Sequence, residues 1–505
     1  MQNNTTKPKV LVVGAGIGGI ATAARLARQG CQVTILEKND IPGGRVGQLS
    51  YDGYTFDTGA TLLLMPEVYA ETFTALGERM QDHLDLRRID PTYHLYFPDD
   101  SSIQLTSDLH AMQEQVEAIQ PGSFERMLHY LAEGSRLYDL SLDDLVGRDF
   151  RRLTDFLNPR MLLLFLRLKA LLRHTDYAAR FFKDPRLLMA FTFQDMYMGL
   201  SPYDSPATYS LMQYKELAGG VWYPMGGMYR ISQALAAIAE KLGVQFVYDA
   251  HVEQILIEAG RATGVRLEDG RVLLADTVVA NADLGYVYRS LLPDKAVSAR
   301  LDRMEYGCST IMFYWGLDRQ YPGLGPHNLF LNGDYRRSFD DIFKNKSMPE
   351  KPNFYIHAPG RIDPSIAPPG HDAWYVAVPV GQVDEIDNEK EAETNKFWHS
   401  MQHKARAYIL QRLGELGFPE VESHIRTEVS FVPQWWQNRY NLTRGSTHGL
   451  SHKLTQMAYM RPHNRHSRYH NLYFVGASTH PGTGVPTVLI SARLAARRVM
   501  DDLIL

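Results

Sequence analysis

The sequence has only two cysteines in 505 residues, and this scarcity limits the kinds of site that the chain can form. Cys31 and Cys308 are too few for a disulfide framework or for a cysteine-based metal centre. No group of histidines and cysteines has metal-ligand spacing, and no nucleophile elbow occurs. We therefore expect no metal site, and a reducing, cytoplasmic compartment suits the composition.

Long apolar runs and a strong charge bias are lacking as well. No stretch of about 20 consecutive apolar residues occurs, so no membrane-spanning helix is expected. The polar start of the chain predicts no export signal. The net charge of −4 gives no basic field, so nucleic acid is not expected as a partner. The length of 505 residues predicts two or three domains.

The most informative stretch is residues 9–45, where a G-x-G-x-x-G motif lies between an apolar run and a helix of small residues. Gly14 permits the sharp turn, and Gly16 lets the backbone approach a pyrophosphate because it has no Cβ. Gly19 lets the helix pack closely on the strand. The following helix would direct its free N–H groups at the phosphate. The pattern predicts a dinucleotide-binding βαβ unit.

The second half of this stretch indicates which dinucleotide is bound. Glu37 follows the glycines at about the 20-residue distance of a ribose-binding acid. Its carboxylate would repel the 2′-phosphate of NADP. Gly43, Gly44 and Arg45 then offer a second close approach to phosphate, which suits the extended arrangement of FAD.

The C-terminal region repeats the order of strand, glycine-rich turn and helix. An apolar strand at residues 472–475 leads into GASTHPGTGVP at 476–486, and a helix starts near Pro486. The partial positive charge of that helix N-terminus would stabilise an anionic reduced flavin. The alternative is a βα unit that only packs. The cofactor contacts predicted here are Gly476, Gly484 and Val485.

Three further stretches are predicted as one helix and two loops. Residues 161–172, MLLLFLRLKALL, are apolar almost all round a helix, with Arg160, Arg167, Lys169 and Arg173 among or beside them. Either this helix is buried and its basic side chains reach the surface, or it dips into a lipid interface with its cations facing anionic headgroups. Residues 219–227 are predicted to form a glycine-punctuated loop, and residues 433–443 an aromatic loop.

Several of these motifs together resemble one family. The tail NLYFVGASTHPGTGVPTVLIS (471–491) is similar to the C-terminal signature of bacterial-type and fungal-type phytoene desaturases. The glycine motif would fit many flavoproteins, but the resemblance covers nearly the whole chain. The other matching stretches are YTFDTGAT (54–61), MYMGLSPYDSPATYSLMQY (196–214), GVWYPMGG (220–227) and MRPHNR (460–465).

The resemblance implies an α/β fold like that of the flavin amine oxidases. It would combine a discontinuous, Rossmann-type FAD-binding domain with a mixed-sheet substrate domain and a helical membrane-associating segment. The expected ranges are 1–64, 215–290 and 456–505 for the FAD-binding domain, 65–145 and 291–455 for the substrate domain, and 146–200 for the helical segment.

The resemblance also implies the chemistry. FAD would oxidise phytoene, a C40 hydrocarbon, and electrons would pass to oxygen or a quinone. Such a substrate resides in a bilayer, so the resemblance favours the lipid-interface alternative and a peripherally membrane-associated protein. The expected cofactor-binding set also includes Gly59, Ala60, Thr61 and Val252.

Candidates for acid–base work come from the same resemblance. Asp149 and Arg152 match an aspartate and an arginine near the flavin of the bacterial enzymes, although the stretch also reads as an exposed charge cluster at a helix end. Asp340 is a further candidate. His480 lies in the glycine turn and is predicted to be a structural hydrogen-bonding residue.

Other functions remain open at this point. A related carotenoid enzyme could desaturate a C30 or hydroxylated substrate, or act as a ketolase or isomerase. A non-catalytic lipid-binding relative, like the escort proteins of prenylated GTPases, would have a degraded FAD site. The intact motif at Gly14, Gly16 and Gly19, together with Glu37, argues against that last possibility.

Overall fold

The computed structural model describes residues 7–383 and 391–504. Its strands are β1 (Lys9–Val13), β2 (Gln32–Leu36), β3 (Gln48–Tyr51), β4 (Tyr54–Asp57), β5 (Leu86–Ile89), β6 (Tyr93–Tyr96), β7 (Ser102–Leu105), β8 (Val221–Pro224), β9 (Gln245–Val247), β10 (Val252–Glu258), β11 (Arg261–Leu267), β12 (Val272–Leu274), β13 (Thr277–Ala280), β14 (Ser309–Leu317), β15 (His327–Phe330), β16 (Phe354–His357), β17 (Asp372–Val380), β18 (Ile425–Phe431) and β19 (Leu472–Phe474).

The α-helices lie between these strands in sequence, with a run of seven, α3 to α9, between β7 and β8. They are α1 (Ile17–Arg28), α2 (Pro66–Leu76), α3 (Leu109–Ile119), α4 (Ser123–Ser141), α5 (Leu153–Phe156), α6 (Pro159–Arg167), α7 (His174–Ala178), α8 (Pro185–Ala190), α9 (Leu211–Leu217), α10 (Tyr229–Lys241), α11 (Leu284–Tyr286), α12 (Lys295–Asp302), α13 (Tyr335–Phe343), α14 (Glu391–Glu415), α15 (Val421–His424), α16 (Pro433–Tyr440) and α17 (Val485–Ile504).

A five-stranded parallel sheet in the order β19-β13-β1-β2-β9 forms the base of the dinucleotide site. Every strand pair in it is parallel, as in a βαβ-built sheet. The strands come from the ranges 1–64, 215–290 and 456–505 that the sequence assigns to the FAD-binding domain. The exact boundaries between domains remain predictions.

Both faces of this sheet are covered, which explains why β1 is apolar throughout. Val10 and Val12 point into the core formed with α1, α10 and α17. Leu11 and Val13 point into a second core, formed with the antiparallel sheet β10-β11-β12. Successive side chains on a strand face opposite sides, so a strand buried on both faces needs an unbroken apolar run.

The second large sheet has seven strands in the order β18-β14-β17-β16-β15-β6-β7. It is mixed, because β15 pairs in parallel with β6 while its other pairs are antiparallel. One face packs Phe313 and Trp315 against Trp398 and Ile409 of α14. The opposite face carries Thr310 and Tyr375 toward the cavities described below.

The structure corrects three predictions made from local patterns. The helix expected over 161–172 ends with α6 at Arg167, and Lys169 adopts a left-handed conformation with φ 55° that breaks the helical path. The prediction of a loop at 433–443 is wrong, because helix α16 occupies most of this stretch. A proline in the first turn of α16 suits the start of a helix. The loop at 219–227 contains β8, which pairs with β5.

Across the described ranges, none of the helices combines the length and the apolar composition that crossing a bilayer requires.

Candidate active site

A cavity of about 370 Å³ opens above the carboxyl ends of the parallel strands. Open α/β sheets bind ligands at this edge. Twelve of the predicted cofactor residues line it: Gly14, Gly16, Glu37, Gly43, Gly44, Arg45, Gly59, Ala60, Val252, Gly476, Gly484 and Val485. Gly19 and Thr61 are not among the described lining residues of this cavity.

The glycine-rich turn is held in shape by backbone contacts with β2 and with the loop at Gly43. The N–H of Gly14 donates to Leu36 O at 2.7 Å, and that of Gly43 donates to Ala15 O at 2.7 Å. Gly14 has φ +99°, which favours glycine. A Cβ on Gly19 would lie 2.2 Å from Gly14 O, so Gly19 serves the close helix–strand packing predicted for it.

Glu37 is 6 % exposed and faces the cavity from the end of β2. Its Oε2 accepts from Ala15 N at 2.7 Å, and its Oε1 accepts from Asn39 N at 2.9 Å. The carboxylate is thus fixed before any ligand arrives. An ionised carboxylate has about four acceptor positions, so capacity remains for a ribose hydroxyl.

The charge and burial of Arg45 indicate whether a cofactor with a pyrophosphate fits this cavity. Its Nη1 donates to Thr447 O at 2.6 Å, and no carboxylate in the described ranges forms an ion pair with it. Burial lowers the pKa of this guanidinium. A partly buried cation that forms no ion pair with the described residues, beside glycines that leave space for a ligand, matches the charge of a pyrophosphate. The site therefore fits FAD.

The C-terminal glycine turn closes the other side of this cavity. Thr483 N donates to His452 Nε2 at 3.1 Å. A Cβ on Gly482 would lie 2.0 Å from that ring nitrogen, so only glycine allows the contact. Gly484 and Val485 then present the start of α17 to the cavity. The turn and the helix N-terminus are therefore positioned by His452, a residue distant in sequence.

A second, larger cavity of about 440 Å³ adjoins the first. Its walls are mostly aliphatic, aromatic and methionine side chains. They include Leu62, Leu64, Met65, Leu142, Leu145, Val146, Phe193, Met196, Met198, Met212, Leu329, Leu331, Phe339, Ile342 and Phe354. Among the described lining residues, Lys215 is the one charged side chain. Its Nζ donates to Glu67 Oε1 at 2.8 Å and lies 4.4 Å over the Tyr138 ring. The cavity thus suits an apolar ligand.

Nine of the described residues line both cavities and form a common wall between them. These are Gly59, Ala60, Tyr197, Thr310, Tyr375, His448, Thr483, Gly484 and Val485. Burial lowers the pKa of His448 to about 4, so this imidazole is neutral at physiological pH. A ligand in the apolar cavity can therefore contact a ligand in the dinucleotide cavity, and the side chains around this contact are uncharged.

The remaining predicted site residues lie elsewhere. Thr61 lines the second cavity, and its hydroxyl forms a 2.9 Å hydrogen bond with Tyr355. Asp149 is ion-paired with Arg498 and Arg151, and Arg152 is exposed. Asp340 pairs with Lys344 at 2.8 Å on the outer side of α13. Within the described ranges, Asp149, Arg152 and Asp340 line neither cavity.

His480 agrees with its predicted structural role. Its Nε2 donates to Arg148 O at 2.9 Å, and burial lowers its pKa to about 4. The contact joins the C-terminal glycine turn to the start of the helical segment.

Several lining residues were not predicted from the sequence. Asn281 follows β13, and its Nδ2 donates to Gly14 O at 3.3 Å. The apolar run before Asn281 could have predicted this position. A further parallel strand of the sheet would end at the same edge as β1, and the residue after it would then face the cavity. For Trp436, Tyr440, Thr447 and His448 the signal was weaker, since their stretch has no motif spacing.

Comparison with known proteins agrees with this geometry. The family described as flavin containing amine oxidoreductase matches residues 17–500. The fold is similar to that of an oxidoreductase from Methanosarcina mazei, with a TM-score of 0.65 at 18% identity, covering 98% of this chain and 100% of that one. It is also similar to a putrescine oxidase redesigned in cofactor binding, with a TM-score of 0.63 at 14% identity and 99% of both chains covered. The chain therefore belongs to the flavin containing amine oxidoreductases, and its cofactor is FAD.

Relatives of higher identity narrow this class. A zeta-carotene-forming phytoene desaturase of Myxococcus xanthus is 48% identical, over 99% of this chain and 95% of its own. A phytoene desaturase of Fusarium fujikuroi is 40% identical, over 98% and 90%. A 4,4'-diapophytoene desaturase of Staphylococcus haemolyticus is 34% identical, over 98% and 99%. Within its family, the chain is a carotenoid desaturase.

Proposed function

We propose that the protein is a phytoene desaturase that introduces successive C=C bonds into this C40 hydrocarbon, toward neurosporene or lycopene. The observation that carries the proposal is the direct contact between an apolar cavity and the FAD cavity along their shared wall. The M. xanthus and F. fujikuroi relatives support phytoene as the substrate.

A hydrocarbon has no polar group for the protein to recognise. Shape and length of the apolar cavity must then determine which bonds approach the cofactor. Aromatic and methionine side chains provide this lining, and Lys215 is neutralised by Glu67. The protein's main contributions are positioning and exclusion of water, both of which favour a near-attack geometry.

When bound, FAD supplies the hydride acceptor for CH2–CH2 oxidation. The residues of the shared wall place the reacting carbons beside it and keep charge away from the contact. We propose oxygen or a quinone as the final electron acceptor. A role of Asp149, Arg152 or Asp340 in acid–base catalysis stays a prediction, because their contacts in the structure lie outside both cavities.

We also propose that residues 151–173 contact a membrane surface. Six leucines in this segment are 48–68% exposed, namely Leu153, Leu157, Leu162, Leu163, Leu166 and Leu171. On α6 the inward side chains Met161 and Leu164 are apolar too. A helix that is apolar on its outer face is typical of an element that inserts into a lipid interface.

The location of this segment supports access from the bilayer. Met161 and Leu164 pack in one core cluster with Leu145, and Leu145 also lines the apolar cavity. Only one layer of side chains therefore separates the exposed leucines from the cavity wall. A hydrocarbon dissolved in the membrane would enter here without crossing water.

Reconstitution tests the proposed function directly. Purified protein with its flavin absorbance is mixed with liposomes containing phytoene and an electron acceptor, and products are separated by chromatography. We expect new, longer polyene chromophores. A flavin-loaded, folded protein that leaves phytoene unchanged with both oxygen and a quinone present would contradict the proposal.

A C30 substrate is the second candidate, because the S. haemolyticus relative named for a diapophytoene aligns over 98% of this chain. Competition between C40 and C30 precursors in the same liposomes distinguishes the two. We expect a higher kcat/KM for the C40 precursor, and preference for the C30 precursor would reverse the assignment.

A further inference from the structure

A buried carboxyl group lies directly behind the wall that the two cavities share. Glu216 on α9 is 0% exposed. The hydroxyl of Tyr197 donates to its Oε2 at 3.4 Å. Tyr197 itself lines both the FAD cavity and the apolar cavity. A single tyrosine thus connects the place where substrate meets cofactor with an interior carboxyl group.

The far side of Glu216 is polar but incompletely paired. In the described part of the chain, Oε1 of Glu216 has no hydrogen-bond partner, and neither polar atom of the Gln213 side chain has one. The Gln194 amide lies against the carboxyl group, yet its Oε1 is also unpartnered. All three side chains are at most 1% exposed. Unsatisfied buried groups are rare, and a group that changes protonation state is one explanation for them.

No cation balances Glu216 within the described ranges. Lys215 is its neighbour on α9 but pairs with Glu67, and the buried His174 pairs with Asp195 at 2.8 Å. The titratable groups that face Glu216 are the phenols of Tyr93 and Tyr197. Burial without a counter-ion raises the pKa of Glu216 to about 8. Such a carboxyl exchanges protons close to physiological pH, where a proton acceptor is most effective.

We propose that Tyr197 accepts the proton released during desaturation and passes its own proton to Glu216. This inference rests on the proposed function. Tyr197 is the catalytic residue in this relay, because it reaches the substrate cavity. Glu216 acts through Tyr197 and positions the phenol as well as storing the proton.

The step balances in atoms and electrons. One C–H bond breaks with both electrons as a hydride goes to oxidised FAD. On the adjacent carbon a second C–H bond breaks, and its electron pair forms the new π bond. That proton bonds to the Tyr197 oxygen while the original phenol proton bonds to the Glu216 carboxylate. Glu216 then returns its proton to solvent before the next turnover.

The test compares wild type with Glu216→Gln and Tyr197→Phe in phytoene liposomes between pH 6 and 9.5. Phytoene has no ionisable group, so the pH profile reports the enzyme. We expect wild-type kcat to rise with pH to a plateau above about 8. Each variant should lose about 100-fold in kcat with little change in KM, and Glu216→Gln should lose the rise. Flavin content and Tm should stay near wild type.

Two matched controls exclude a general effect of these substitutions. Tyr306→Phe removes another buried phenol that lines neither described cavity, and Glu253→Gln removes an exposed carboxylate. Both should keep the wild-type rate and profile. A Glu216→Gln enzyme with the wild-type rate and pH profile would overturn the proposal. Should that variant fail to fold, a fully active Tyr197→Phe enzyme would overturn it as well.

An infrared pH titration of the flavin-loaded protein without substrate distinguishes failure of the proton relay from failure of the proposed desaturase function. We expect a protonated-carboxyl band that disappears near pH 8 in wild type and is missing in Glu216→Gln. If this band titrates but phytoene is never converted, the proposed function fails and the buried proton site stands. If wild type converts phytoene but shows no such band, the relay fails and the function stands.

Discussion

Glu37 performs two tasks at the scale of a single residue. Its carboxylate faces the FAD cavity, and it also holds the backbone of Ala15 and Asn39 in place. Both partners are N–H donors, so both carboxylate oxygens must act as acceptors. The residue that a ribose would contact is therefore also a support of the glycine-rich turn.

We predict that Glu37→Gln weakens FAD binding by about 10-fold or more. The glutamine NH2 would face a backbone N–H and leave a buried donor unpaired, which costs about 1–3 kcal/mol. Titration of apoprotein with FAD measures the effect. Glu258→Gln, at an exposed site on β10, is the control. Wild-type affinity in Glu37→Gln would show that the turn does not need this acceptor.

Asp149 lies in a network of ion pairs that links two helical parts of the chain. Its carboxylate is paired with Arg498 of α17, and both side chains are about 90% buried, with relative exposures of 10% and 9%. Arg151 adds a second link, through Asp149 and Asp501. These ion pairs hold the start of the helical segment 146–200 against α17.

We predict that Asp149→Asn lowers the free energy of unfolding by about 3 kcal/mol, because it leaves a buried guanidinium unpaired. In a double-mutant cycle with Arg498→Met, the losses should be less than additive. Denaturant titration provides the values. Unchanged stability together with lost turnover would instead favour the acid–base role predicted from the resemblance.

Predictability from the sequence differs sharply among residues of the site. Gly14, Gly16 and Glu37 could be predicted, because one local βαβ unit brings them together. Tyr197 and Glu216 could not, because their meeting depends on how α9 packs beside the shared wall. A lone glutamate in a helical pattern looks like a solvated residue until its burial is known.

At the scale of elements, α6 differs from an ordinary surface helix. Leu162, Leu163 and Leu166 point outward with exposures of 65%, 49% and 56%. Two of the four basic side chains that the sequence predicts to face headgroups form ion pairs within the protein. Arg160 pairs with Asp144, and Lys169 pairs with Glu133. The apolar face, more than the charge, is therefore expected to provide the membrane affinity.

We predict that Leu162→Gln combined with Leu166→Gln reduces co-sedimentation with liposomes by at least 10-fold. Both side chains are more than half exposed, so Tm should change little. Replacing Arg160, Arg167, Lys169 and Arg173 with glutamate should weaken binding to anionic liposomes further. Leu109→Gln, at a leucine of α3 that is 54% exposed, is the control. Wild-type binding by the leucine variant would exclude this helix as the contact.

The end of α6 shows why element boundaries were only partly predictable. The apolar pattern continues to Leu172, but the helix stops at Arg167. Lys169 leaves the helical path to pair with Glu133 and to lie 4.6 Å over the Tyr177 ring. These partners belong to other helices, so local periodicity cannot indicate the stop.

At the scale of the whole molecule, buried histidines couple stability to pH. Burial lowers the pKa of His357, His466 and His480 to about 4, and all three are at most 5% exposed. Protonation is therefore easier in the unfolded chain than in the folded one. Their stabilising contribution is complete above pH 6.5, the unfolded value, and is lost as the pH falls toward 4.

We predict that the urea midpoint falls steeply between pH 6.5 and 4, with each histidine contributing on the order of 1–3 kcal/mol. His357→Gln should make this slope shallower. His110→Gln, at an exposed position, should leave it unchanged. A urea midpoint that is constant over this range would mean that these histidines are not buried as neutral groups.

The order β19-β13-β1-β2-β9 has a consequence for how a newly made chain acquires its cofactor. Strand β19 and helix α17 are distant in sequence from β1 and β2, yet they complete the sheet and one wall of the FAD cavity. The cavity therefore exists only after these separate segments have met, and such long-range pairing forms slowly. We expect FAD to bind chains in which this pairing is complete, and to stabilise them against reopening.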